Sequence, residues 1–221
     1  MNLKLFIKKI ISRYMDFDFV KNKLNKIQIN QVTEFNDKLK NQNLNSLDDL
    51  SLSVFSQFNE DVIIQYLIKN LNIKNESFVE FGVENYEEAN TRLLLEKDNW
   101  SGLVIDSSEN NINYIKSQNY FWRHNLTALS HFISAENINE ILKENNFKGE
   151  IGVLSIDTDG NDFWIWKEIS QIKPVILVIE YNAKLGSEKS LSIKYNSNFR
   201  RASSGLDKLI YGASLKALEK I

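Results

Sequence analysis

Asp157-Thr158-Asp159-Gly160-Asn161-Asp162 sets three carboxylates and an amide on one short turn. Crowding like charges is costly unless a cation or a donor-rich substrate offsets them. Oxygen ligands at such spacing suit a hard divalent ion such as Mg2+ or Mn2+. Asp157, Asp159 and Asp162 are the candidate ligands, with Glu180 completing the set if its strand lies alongside; the alternative is a turn in which Asp159 and Asp162 cap the following helix. The same groups could move protons, and Asp157, Asp159 and Glu180 are the candidates for taking one from an acceptor hydroxyl. A helix–loop–helix calcium site is excluded, because Val153–Ile156 before the turn reads as a buried strand rather than a helix.

Three further strand-like runs end in acidic groups: Ser77-Phe78-Val79-Glu80-Phe81-Gly82, Gly102-Leu103-Val104-Ile105-Asp106 and Val175-Ile176-Leu177-Val178-Ile179-Glu180. Continuous apolar runs suit strands covered on both faces, and open parallel sheets bind ligands beyond the carboxyl ends of their strands. Glu80, Asp106, Asp157 and Glu180 are thereby placed where a nucleoside-type cofactor and its substrate would sit. Gly82 could admit close approach of a cofactor. Glu84-Asn85-Tyr86, however, fill the turn where a dinucleotide fingerprint needs more glycines. Glu84, Glu87 and Glu88 would repel a pyrophosphate, whereas a sulfonium with an amino-acid head group suits this charge. A nicotinamide cofactor is correspondingly disfavoured. Asp106 could accept ribose hydroxyls through its charge, or cap the following helix beside Ser107 and Ser108. Asn182 could donate to a sugar oxygen. Phe163, Trp164 and Trp166 read as core rather than as a stacking platform.

The elements that must position these groups alternate. The pattern predicts strands at 77–82, 102–106, 127–133, 151–156 and 174–180. It predicts helices from 59 or 60 to about 70, then at 87–97, 109–118, 135–145, 162–169 and 205–220. Ser134 supplies the cap half of a capping box, with Asn137 three residues on. Residues 1–30 read as helical with a break near 16–18, and 36–53 as a linker with one short helical turn. Leu3, Phe6, Ile7, Ile10 and Ile11 share a face opposite Lys4, Lys8 and Lys9. This favours a helix packed on the domain or a partner subunit over one lying on a membrane surface. The organisation expected is an N-terminal helical extension and linker over 1–53, then one α/β domain over 54–221.

Bulk properties narrow the function. Lys and Arg number 27 against 29 Asp and Glu, a net charge of −2 that recommends no nucleic-acid partner. The chain has no Cys and two His, which removes disulfides, thiol catalysis and a multi-histidine metal site. No apolar run reaches the length of a membrane span, and the first residues lack the form of an export signal. A cytoplasmic protein is expected, with a small-molecule acceptor and possible homo-oligomers or peripheral association through the N-terminal helix.

The chain resembles the FkbM-like S-adenosylmethionine-dependent methyltransferases, in a bacterial subgroup often encoded with surface-polysaccharide genes. The resemblance covers residues 54–218. It rests on Phe55-Ser56-Gln57-Phe58-Asn59-Glu60-Asp61, Glu80-Phe81-Gly82-Val83, Asn90-Thr91, Asp106 and Ser134-Ala135-Glu136-Asn137. It continues through Leu154-Ser155-Ile156-Asp157-Thr158-Asp159-Gly160-Asn161-Asp162-Phe163-Trp164, Ile179-Glu180-Tyr181-Asn182-Ala183 and Tyr211-Gly212-Ala213-Ser214-Leu215. The resemblance implies a doubly wound, mostly parallel Rossmann-like methyltransferase sheet and S-adenosyl-L-methionine as cofactor. Glu80 and Gly82 would shape the methionine end of the pocket, Asp106 would bind the ribose, and Asp157 would face the reacting centre. It implies O-methylation of a sugar or related small molecule, with a divalent ion as a candidate partner of the carboxylates. Two departures stand out: Asn59 and Glu84-Asn85 replace glycines usual in the family. The resemblance also implies a final strand pair that 221 residues do not supply, so a C-terminally shortened sheet is expected. A non-catalytic binding or assembly protein on the same fold is the alternative reading.

Overall fold

The computed structural model describes residues 17–39, 46–199, 201 and 211–221. The expected amphipathic helix over the first residues, and positions 205–210 of the expected last helix, lie outside them. Helix α1 (Phe17–Leu39) leads through a 3-10 turn (Leu47–Asp49) to α2 (Glu60–Asn70). The alternating part follows as β1 (Ser77–Phe81), α3 (Arg92–Asp98), β2 (Ser101–Asp106), α4 (Glu109–Ser117), α5 (Asn119–Arg123) and β3 (Leu126–Ser130). It continues through α6 (Ile138–Glu144), β4 (Gly149–Ile156), α7 (Asp162–Glu168), β5 (Ile172–Ile179), a 3-10 turn (Ala183–Leu185) and α8 (Leu215–Leu218).

All five strands pair in parallel, in the order β3-β2-β1-β4-β5. This is the expected doubly wound, Rossmann-like sheet. The reversal of strand order lies between β1 and β4, and a crevice opens at such a switch point beyond the strand ends. Side chains alternate across the sheet. Phe78, Val104 and Val153 join Ile64, Leu94, Ile112 and Ile115 in one buried layer beneath α2, α3 and α4. Val79, Phe81, Leu103 and Ile156 face the other way, onto Ile138, Ile141 and Leu142 of α6 and Ile165 of α7. The α1 helix joins through a third cluster, in which Val32 meets Leu50, Phe55, Val62 and Leu93. Among the described residues no helix is long and apolar enough to cross a membrane. Pro174 lies within β5, which the sheet order leaves at an edge, where a missing N–H is tolerated.

Two helices start later than their apolar periodicity predicts. The helix expected over 87–97 begins at Arg92 because residues 82–91 form an irregular loop, with left-handed backbone at Gly82, Glu84 and Tyr86. A bulky residue in that region is rare. Tyr86 is held there by full burial, by a hydroxyl contact with Thr91 Oγ1 at 2.9 Å and by edge-on packing against Tyr120. The helix expected over 135–145 begins at Ile138, because Asn137 turns back. Its Oδ1 accepts from the Ser134 amide and its Nδ2 donates to the Phe132 carbonyl, so the cap lies opposite to the way expected. The last helix also falls short of the expected 205–220: among the described residues it covers Leu215–Leu218, because Ala213 bridges Ser192 instead and Ser214 caps the helix by accepting from the Ala217 amide.

Candidate active site

The strand ends bring Gly82, Asp106, Asp157 and Glu180 to one side of the sheet, and the geometry assigns them different work. Gly82 is fixed by contact. Its φ is +72°, its amide donates to the Ile105 carbonyl, and a Cβ there would lie 1.6 Å from the Asp157 carbonyl oxygen. The backbones leaving β1 and β4 therefore approach as closely as only glycine permits.

Glu80 faces the helix layer rather than open solvent. It is 5% exposed, and its carboxylate accepts from the amides of Asn90 and Thr91, from Thr91 Oγ1 and from Ser155 Oγ. Burial raises its pKa, and those four hydrogen bonds oppose the rise. Glu80 thus braces the end of the 82–91 loop and satisfies amides at the start of α3.

Asp106 spans the gap between β1 and β2. Its Oδ2 accepts from the Glu84 amide at 3.0 Å, while Oδ1 accepts from the Ser108 amide at 2.7 Å and from Asn111 Nδ2 at 3.0 Å. A carboxylate offers about four acceptor positions, so a position on Oδ2 remains for one ligand hydroxyl. A second hydroxyl would have to displace Asn111.

Asp157, Asp159 and Glu180 converge, each offering an oxygen within 4.8 Å of the others. Although much of Asp157 is open to solvent, protein atoms crowd its carboxylate. Desolvation first, then the charges of Glu180, Asp162 and Asp159, push its pKa up to about 7. Glu180 is raised too, by desolvation and by Asp162, with Arg201 opposing. Among the described residues its buried Oε2 has no close hydrogen-bond partner, although the Tyr211 side chain helps lower its pKa. Asp162 stands apart from this trio. It is 1% exposed, its Oδ1 accepts from the amide and hydroxyl of Thr158, and its Oδ2 accepts from the Gly160 amide. Those bonds fold the 157–162 turn onto the start of α7.

Arg201 supplies a countercharge that the spacing of the acidic residues does not reveal. Its Nη1 lies 2.9 Å from Asp159 Oδ1 and 3.8 Å from Glu180 Oε1, and its guanidinium stacks 3.6 Å from the Tyr211 ring centroid. An ion pair bridging 42 residues leaves no local sequence pattern. Asn182 is 1% exposed, donates to the Tyr211 carbonyl and accepts from the Lys184 amide, so its amide is engaged within the fold. Trp164 donates to the Ile193 carbonyl at 2.8 Å, and Trp166 packs against the core beneath α6 and α7. Trp166 thus packs as expected, whereas Phe163 and Trp164 are half-buried, edge-on to each other, and outside the core clusters of the described residues.

No family model matches the chain, and no curated protein matches it. Among solved structures it is similar to the O-methyltransferase from Bacillus cereus in complex with SAH, at 14% identity and a TM-score of 0.44, over 72% of this chain and 68% of that one. It is also similar to an S-adenosylmethionine-dependent methyltransferase from Clostridium acetobutylicum ATCC 824, at 11% identity and a TM-score of 0.39, over 76% of this chain and 65% of that one.

Proposed function

We propose that this protein transfers a methyl group from S-adenosyl-L-methionine to a hydroxyl of a sugar or related small molecule. The observation that carries the reading is the meeting of Asp157, Asp159 and Glu180 beyond the ends of β4 and β5, beside the β1–β4 switch point of a doubly wound sheet. The cofactor, when bound, supplies an electrophilic methyl carbon on a sulfonium. Glu80 and Gly82 shape the methionine end through the 82–91 loop and its close contact with β4, and Asp106 receives a ribose hydroxyl on Oδ2. With that cofactor bound, its methyl would pass to the acceptor oxygen with the thioether leaving, and a carboxylate of this chain would take the hydroxyl proton. Asp157 is the favoured base because a carboxylate titrating near neutrality both accepts and releases protons readily. Asp157, Asp159 and Glu180 also form a donor set for Mg2+ or Mn2+, which would acidify the acceptor hydroxyl. Asp162 would support that set through the turn rather than ligate, since both its oxygens are already engaged.

Asp106→Ala tests the cofactor reading. Titration calorimetry should show S-adenosylmethionine affinity falling about 10–100-fold, the worth of a charged hydrogen bond. Stability should fall by roughly 0.5–2 kcal/mol as the brace to Glu84 and Ser108 is lost. A wild-type chain that folds but does not bind the cofactor at millimolar concentration overturns the proposal. It would favour a binding or assembly protein, the reading supported by Arg201 already neutralising Asp159.

The raised pKa of Asp157 predicts a pH signature independent of activity. A carboxyl raised in the folded state gives stability that is fully present below its unfolded value of about 3.9 and is lost as pH rises through about 7. Asp157→Asn should therefore gain Tm relative to wild type as pH climbs from 5 to 8. Mn2+ should narrow that gap by stabilising the wild type alone. A gap independent of pH would refute the shift, and a gap unmoved by Mn2+ would leave Arg201 as the cluster's cation.

A further inference from the structure

One cavity gathers positive charge on a chain whose net charge is −2. A cavity of about 640 Å3 opens between α1, the 82–91 loop, α4 and α5, and its walls carry five cationic side chains against two carboxylates. The carboxylates are already matched. Lys21 and the Tyr114 hydroxyl both engage Glu87, and Arg92 pairs with Glu96 at 2.7 Å. Among the described residues Lys23, Lys26 and Arg123 form no ion pair. Lys23 lies over the Phe19 ring and Arg123 over the Trp122 ring.

A concave site of one charge sign between low-dielectric walls concentrates ligands of the opposite sign. The volume falls within the roughly 300–1,000 Å3 of small-molecule sites, well beyond what a bare anion fills. Asn22, Asn25, Gln118 and Asn119 line it with amide donors and acceptors, groups that match sugar hydroxyls. We propose that this cavity binds an anionic saccharide, a sugar bearing a phosphate or a carboxylate. Asp106, Asp157, Asp159 and Glu180 do not line it, so the proposal is independent of methyl transfer.

Calorimetry on the full chain with glucose 1-phosphate, glucuronate, glucose and inorganic phosphate tests it. At least one of the two charged sugars should bind at least tenfold more tightly than glucose or inorganic phosphate, and the stronger of the two identifies the anionic group. Lys26→Glu and Arg123→Glu should each weaken that binding tenfold or more, as expected for loss of a charge-assisted contact. Both side chains are exposed, so Tm should hold, and S-adenosylmethionine binding should be unchanged. The proposal is overturned if neither charged sugar binds at about 10 mM. It is equally overturned if inorganic phosphate or glucose matches the tighter of the two charged sugars, or if Lys26→Glu and Arg123→Glu both leave its affinity intact.

Discussion

Gly82→Ala should cost about 2–5 kcal/mol of stability, because the new methyl must push the Asp157 backbone aside and adopt a left-handed φ as well. The obstructing atom is a carbonyl oxygen of the neighbouring strand end, which cannot swing away like the tip of a long side chain. Gly186→Ala separates the two contributions. Gly186 shares a φ of +72° but, among the described residues, nothing lies within 4 Å of where a Cβ would sit, so its loss, from torsion alone at ψ 176°, should be about 1–3 kcal/mol. Urea unfolding with an unchanged slope reads both values. Equal losses at the two glycines would show that torsion alone matters and that β1 and β4 can spread.

Arg92→Ala should be comparably severe, at about 3–5 kcal/mol. Arg92 is 4% exposed, and its guanidinium lies between the Phe55 and Tyr120 rings, 4.3 and 4.5 Å from their centroids. It donates to Glu96 at 2.7 Å and to the Tyr86 carbonyl at 3.1 Å. Removing it leaves a half-buried carboxylate and a buried carbonyl without their donor, and opens space between two rings. Arg92→Lys should recover less than half of the loss, since an ammonium cannot stack between rings while bonding both oxygens in their plane. Full recovery in thermal melts would reduce the role of Arg92 to charge alone.

The order and type of the sheet elements were legible because strands buried on both faces leave unbroken apolar runs, such as Gly102–Ile105, between polar helical segments. The start of α3 was not. Nothing in Glu84-Asn85-Tyr86 announces left-handed backbone, which comes from Tyr86 burying its ring against Tyr120. The site was legible in composition rather than in division of labour. Asp157, Asp159 and Glu180 meet as their strand ends suggest, while Asp162 turns inward to hold amides of its own loop. Alternation along β1 puts Glu80 on the same face as buried Phe78. That parity explains why its carboxylate serves the Asn90 and Thr91 amides. Arg201 entered from a distant segment, beyond the reach of any local pattern.

The strand order also sets a timetable for the growing chain. β1, β2 and β3 are joined by local crossovers, but the other edge of β1 must await β4, whose Ser155 pairs opposite Glu80 from 75 residues away. Contacts that close such long loops form late and slowly. At the usual roughly 5–20 residues per second, several seconds separate emergence of β1 from that of its second neighbour. During that interval an apolar central strand presents a bare edge, the kind of surface that recruits chaperones or mispairs with a second nascent chain.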